Sequence, residues 1–238
     1  MFDLLITGGT MIDGTGTPGM HADVGVTGGR IAAIGDLTGA PATETLDATG
    51  KVVCPGFVDP HTHYDAQILW DPWATPSSLH GVTSMVMGNC GFSLAPIGDD
   101  SDAAYIGAMM VKVEGMSPAA LAIGVDWNWR STADYLARLD RNIGVNIAAM
   151  VGHCALRRTV MKDDAVGREA TNAEISEMQH LLHQGLEAGA LGFSTSRSYT
   201  PCTWTRSWAV SNACRLSHVL TGSTQARRRP TSSIFQRA

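Results

Sequence analysis

Four short apolar runs restrict the fold of this chain more than any other feature. Phe57-Val58-Asp59, Val82-Thr83-Ser84-Met85-Val86-Met87, Val145-Asn146-Ile147-Ala148-Ala149-Met150-Val151 and Ala190-Leu191-Gly192-Phe193 each read as a strand. Their apolar residues are near-continuous rather than alternating, which is the pattern of parallel strands covered on both faces. Helical segments lie between them. Thr171 and Glu174 read as the N-cap and N3 residues of a capping box. Ile175, Met178, Leu182 and Leu186 then recur on one helical face, and Gly189 closes it. Ser131 to Arg141 reads as another helix. Strands alternating with helices from residue 55 onward predict an α/β fold, either a βα-barrel or a doubly wound sheet.

Residues 1–54 have a different texture. Leu4-Leu5-Ile6, Val24-Gly25-Val26, Arg30 to Ile34 and Lys51-Val52-Val53 read as short strands. Gly8-Gly9, Asp13-Gly14, Gly28-Gly29 and Gly50 punctuate them, which predicts a small β-meander. The first residues, Met1 to Thr7, carry no basic region before their apolar run and read as a strand rather than a signal peptide. No stretch is apolar for 18 residues, so no membrane span is expected, and the expected compartment is the cytoplasm. Five cysteines (Cys54, Cys90, Cys154, Cys202 and Cys214) are odd in number and scattered, unlike a disulfide framework. There is no internal repeat and no glycine loop suited to cradling a nucleotide.

The chemistry concentrates in Gly56-Phe57-Val58-Asp59-Pro60-His61-Thr62-His63-Tyr64-Asp65. His61 and His63 lie two apart at the end of a predicted strand, so both imidazoles can face one point. Imidazole nitrogen suits zinc, and an open coordination position would let the metal acidify a water. A bare His-x-His is otherwise a polar loop with two solvated histidines. Here the pair follows the strand that opens a βα series, and in βα-barrels the C-terminal strand ends carry the site.

A short β module followed by Pro-Gly-Phe-Val-Asp-Pro-His-Thr-His resembles the amidohydrolase superfamily. The resemblance narrows to the D-aminoacylase, or N-acyl-D-amino-acid deacylase, branch at Met87-Gly88-Asn89-Cys90-Gly91-Phe92-Ser93-Leu94-Ala95-Pro96. Asn128 to Leu136, Val151 to Arg157 and Gly192 to Arg197 are also similar to it, so the likeness covers about residues 1–199. It implies a partial (β/α)8 TIM-like barrel preceded by a β-sandwich segment. The expected layout is 1–54 for the β-rich segment, 55–199 for the first half of the barrel and 200–238 for a non-matching tail. It also implies zinc as cofactor and a small N-acyl-D-amino acid as substrate, with hydrolysis of its amide bond.

By the same resemblance Cys90 becomes a zinc ligand, with His61 and His63 as further metal ligands; the branch's tight zinc uses the cysteine and later histidines, which would leave His61 and His63 to a weaker second site. On its own Cys90 reads as a small buried residue in a glycine turn. Asp59 and Asp65 are candidates to orient a histidine, and Asp65 could equally cap a helix. His153, at the end of the third strand, is a candidate for contact with substrate or with the ligands. His180 and His183 read as surface residues. The competing enzyme class is a cyclic-amide hydrolase of dihydroorotase or hydantoinase type; Cys90 and the lack of a bridging lysine candidate on the fourth strand argue against it.

The tail breaks the pattern. Residues 1–187 hold all 22 acids and ten basic residues, a balance of -12, whereas 188–238 hold seven arginines and no acid, a balance of +7. The family's later motifs, Tyr-x-x-His-x-Arg, Ser-His-His-Lys and a late general-base aspartate, are not found; His218 fits neither context, and no aspartate follows Asp164. The expectation is that translation leaves the ancestral frame after about Tyr199, so that another frame beyond Gly192 encodes those motifs. The rival is a basic interaction tail on a non-catalytic fragment, with Trp204 and Trp208 suited to stacking on bases; no nucleic-acid or membrane partner is expected. A half barrel would expose strand edges, so poor stability and self-association are also expected.

Overall fold

A computed structural model of the chain describes residues 1–195. Among these, residues 1–57 form one compact unit and 58–195 another. The expectations for 200–238, including those for His218 and the two tryptophans, lie outside the described residues.

The first unit is all β. Its strands are β1 (Phe2–Thr7), β2 (Thr10–Met11), β3 (Met20–His21), β4 (Asp23–Thr27), β5 (Arg30–Gly35), β6 (Ala42–Asp47) and β7 (Val52–Val53). They form a four-stranded sheet in the order β5-β4-β1-β6 and a three-stranded sheet in the order β3-β2-β7. The expected meander is therefore replaced by two sheets. β4 and β5 make an antiparallel hairpin, but β1 runs parallel to β6, pairing Leu4 with Glu44 and Ile6 with Leu46. Periodicity gives no hint of β6, because Ala42-Thr-Glu-Thr-Leu-Asp is polar and mostly exposed; its place comes from backbone pairing with β1. Ile6, Val24, Val26 and Ala48 make this unit's core.

The second unit opens with β8 (Phe57–Asp59) and continues with β9 (Val82–Met87), β10 (Asn146–Gly152) and β11 (Gly192–Ser194), in the sheet order β11-β10-β9-β8. All four predicted strands are present, within one or two residues. β9, β10 and β11 are mutually parallel: Ile147 lies beside Met85, and Val151 beside Phe193. Among the described residues five α-helices accompany these strands: α1 (Asp100–Glu114), α2 (Pro118–Gly124), α3 (Thr132–Leu139), α4 (His153–Met161) and α5 (Asn172–Glu187). None of the described helices is long and apolar enough to cross a membrane.

The helix signals act as expected from their chemistry. Thr171 and Glu174 form the reciprocal capping box of α5, and Ser131 with Asp134 does the same for α3. Met178 and Leu182 of α5 pack with Val151 and Leu156. Met85, Met87, Leu94, Ile106, Met110, Trp129 and Tyr135 belong to a second, larger core. By register Met85, Met87, Ala149 and Val151 share one face of the sheet, and the opposite face, with Ser84, Val86, Ala148 and Met150, is only half-buried, so the burial on both faces expected from the apolar runs is not found here. α1 and α4 are fastened by charge as well. Asp102 is fully buried and pairs with Arg158 Nε at 2.8 Å and Lys162 Nζ at 2.6 Å.

Candidate metal centre

The chain leaves β8 at Asp59 and crosses the end of the sheet through Pro60 to His63. Thr62 fixes that crossing. Its backbone N–H and its hydroxyl both donate to the carbonyl of Val86 in β9, at 3.0 and 2.8 Å. With Thr62 turned in and buried, its two neighbours project the other way. The histidine rings lie 5.5 Å apart, centre to centre, at 63°. The alternation expected of a strand end thus holds, although the pair lies just past the strand.

Cys90 reaches the same point from the end of β9. It occupies a tight turn over Asn89–Gly91 and has a left-handed backbone, φ 55°. For a residue with a side chain this conformation is disfavoured and has to be held by its surroundings. Several contacts hold it. Asp65 Oδ2 accepts the Gly88 N–H at 3.0 Å. The Ser194 hydroxyl donates to the Gly88 carbonyl and accepts the Gly91 N–H. Asn89 Nδ2 donates to the Val86 carbonyl at 2.9 Å. Gly152 passes so close that a Cβ there would lie 2.5 Å from the Gly91 carbonyl oxygen. Three strand ends therefore clamp one thiol in place.

The outcome is convergence. Ligand atoms of His61, His63 and Cys90 all lie within 4.8 Å of one another, and His61 Nε2 is 3.1 Å from Cys90 Sγ. Tetrahedral zinc, with bonds of about 2.0–2.3 Å, spaces its ligands by roughly 3.3–3.8 Å, so this set needs only small adjustment to close on an ion. Burial pushes the His63 imidazole below its ordinary pKa of 6.5, against a smaller opposing pull from Glu114, which favours the neutral ring whose lone pair a metal needs. Burial, with a smaller contribution from Glu114, pushes the Cys90 thiol up. Without a cation it stays protonated, and a bound metal would remove that proton. Two imidazole nitrogens and one such thiol fit a borderline-soft divalent ion.

The other candidates sit around this core in different ways. Asp59 Oδ1 accepts the backbone N–H of His61 at 3.1 Å, so it shapes the turn rather than the ring. Among the described residues Asp65 bonds no histidine; it is fully buried on Gly88, and burial lifts its carboxyl to about 7. His153 is outside the three-ligand group. It begins α4 directly after β10, buried and edge-on to Phe193, with burial holding its pKa near 4. His180 and His183 are exposed on α5. Two residues were not visible from sequence. Ser194 completes the Cys90 clamp, and Glu114 Oε1 lies 3.5 Å from His63 Nδ1. The hint for Glu114 is electrostatic: a carboxylate in the last turn of a helix opposes the helix dipole, by about 0.3–1 kcal/mol.

A family model described as amidohydrolase family matches residues 44–205. The chain belongs to the amidohydrolase family. Among amidohydrolases it is 42% identical, over 218 residues, to D-aminoacylase of Alcaligenes xylosoxydans xylosoxydans, covering 90% of this chain and 42% of that protein. It is 42% identical to N-acyl-D-glutamate deacylase of the same organism, covering 84% of this chain and 38% of the relative. Among solved structures, a D-aminoacylase studied for its binuclear metal centre matches with a TM-score of 0.75 at 42% identity, over 90% of this chain and 43% of that one. N-acyl-D-glutamate deacylase from Bordetella bronchiseptica, complexed with zinc and a phosphonate inhibitor, matches at 0.74 and 37%, over 92% and 43%. The chain spans less than half the length of these relatives.

Proposed function

We propose that this chain carries the metal-binding half of a zinc-dependent hydrolase that cleaves the amide bond of N-acyl-D-amino acids. The observation that carries the reading is the convergence of His61, His63 and Cys90 at the ends of β8 and β9. The likeness to D-aminoacylase and N-acyl-D-glutamate deacylase supplies the substrate class. On this reading β8 to β11 are the first four staves of an eight-stranded barrel, 1–54 are a β-sandwich segment that precedes it in the chain, and 55–199 form its first half. A small N-acyl-D-amino acid is the partner, and a free sheet edge favours self-association.

Zinc at this site would polarise the scissile carbonyl and lower the pKa of a water. The protein's own residues do the placing. Thr62 sets the histidine pair against β9, and Asp65 with Ser194 presents the Cys90 thiol. His61 is exposed, so one side of the centre is open to an incoming amide. Cys90 favours this reading over a cyclic-amide hydrolase.

The test is zinc content together with stereoselective hydrolysis. The full chain, loaded with zinc and then stripped by chelator, is offered N-acetyl-D- and N-acetyl-L-amino acids, and free amino acid is measured. Metal-dependent release of the D product supports the proposal. Failure to bind zinc stoichiometrically overturns the centre. Zinc binding without hydrolysis favours the rival reading of a non-catalytic fragment.

A further inference from the structure

Glu114 has no evident structural reason to be where it is. It is the last residue of α1, and Gly115, in the left-handed conformation, ends the helix with its N–H on the Met110 carbonyl. The carboxylate projects from the end of the helix that disfavours negative charge. Its side chain is only 18% exposed. Among the described residues no Lys or Arg comes within ion-pairing distance of it; its one ion-pair neighbour is His63, Oε1 to Nδ1 at 3.5 Å. That nitrogen is itself buried without a hydrogen bond. A half-buried anion and a buried imidazole nitrogen thus face each other slightly too far apart to bond.

A cation on the other side of the ring would close this gap. A carboxylate that accepts the N–H of a ligating histidine fixes the tautomer, orients the ring and makes its remaining nitrogen a better donor. Charge agrees with geometry. A divalent ion held by two neutral imidazoles and one thiolate leaves one positive charge, which Glu114 would balance. We propose that Glu114 is a positioning residue of the metal centre, holding His63 by Nδ1 so that Nε2 is presented to the ion beside His61 and Cys90. The role expected for Asp59 or Asp65 thereby passes to a residue on α1. This rests on the metal-centre reading above, and its test keeps the two apart.

Cobalt(II) titration of the full chain reads both. A thiolate-to-cobalt absorption band reports Cys90, and the visible bands report the ligand field. If wild-type protein shows no thiolate band, the metal centre itself falls, and this proposal with it. If the band is present, Glu114→Gln is expected to weaken cobalt binding about 10–100-fold and shift the visible bands, with Glu114→Asp recovering part of the affinity. Unchanged affinity and bands in Glu114→Gln overturn the proposal. A His63→Ala background separates positioning from folding: there Glu114→Gln is expected to cause no further loss. An equal loss in both backgrounds overturns the positioning role, because the effect would then not pass through His63.

Discussion

Asp65 makes the metal-free protein sensitive to pH in a direction opposite to that of a salt-bridged carboxylate. It is fully buried, one oxygen accepts the Gly88 N–H, and the other has no hydrogen-bond partner among the described residues. Burial raises its pKa from the ordinary 3.8 to about 7, against the smaller lowering effect of the Gly88 bond. Below pH 3.8 the group is protonated whether folded or not and costs nothing. Between 3.8 and about 7 the folded chain holds a proton that the unfolded chain has released, so stability falls as pH rises through that window. Over the whole window the loss amounts to about 4 kcal/mol. Asp65→Asn keeps an oxygen for Gly88 and removes the titration. In urea unfolding with chelator present, the variant is expected to match wild type near pH 4 and to exceed it by about 4 kcal/mol at pH 8. A stability difference that does not change with pH would refute the reasoning. So would a variant that loses stability at pH 8.

Other substitutions test the parts separately. Ser194→Ala removes both bonds from the Cys90 turn and leaves a buried N–H on Gly91; the expected cost is about 1–3 kcal/mol in chemical unfolding, with faster alkylation of Cys90. Cys90→Ser is expected to abolish the thiolate band and to weaken metal binding by more than the roughly 10–100-fold seen for outer partners, as read by titration. Arg158→Ala leaves the fully buried Asp102 with Lys162 as its one remaining ion-pair partner among the described residues, beside the Gly98 N–H. It is expected to cost about 3–5 kcal/mol in unfolding, and less than additively with Lys162→Ala, because both cations share one carboxylate.

The legible parts of this molecule are those fixed by local chemistry. The capping box at Thr171 involves residues three apart and is present as the sequence predicts, and the helix expected from Ser131 carries a second such box with Asp134. The four strands of the second unit announce themselves through their short apolar runs, although Phe57 and Val58 of β8 are exposed and β9 buries chiefly Met85 and Met87. His61 and His63 converge because alternation is a property of extended chain. What stayed hidden depends on distant partners. β6 is a strand only because β1 lies beside it, so its polar sequence carries no period to detect. Ser194 and Glu114 are an ordinary serine and an ordinary helical acid until the fold brings them to Gly88 and His63. Asp65, which the sequence leaves open between orienting a histidine and capping a helix, instead holds backbone 23 residues away.

The clamp on Cys90 also imposes an order in time. The two histidines and the thiol lie within 29 residues of one another, yet Ser194 is 103 and 106 residues from the glycines it fastens. As the chain emerges from the ribosome, the thiol and imidazoles are made early, and the bond that stiffens their turn comes last. A nascent chain therefore carries a soft, oxidisable thiol next to two metal-seeking rings, with its geometry not yet set. Chains stopped just before Gly192 are expected to show faster alkylation of Cys90 and looser choice among metals than chains that include Ser194. Equal behaviour would mean that the earlier contacts from Asp65 and Asn89 already suffice to shape the turn.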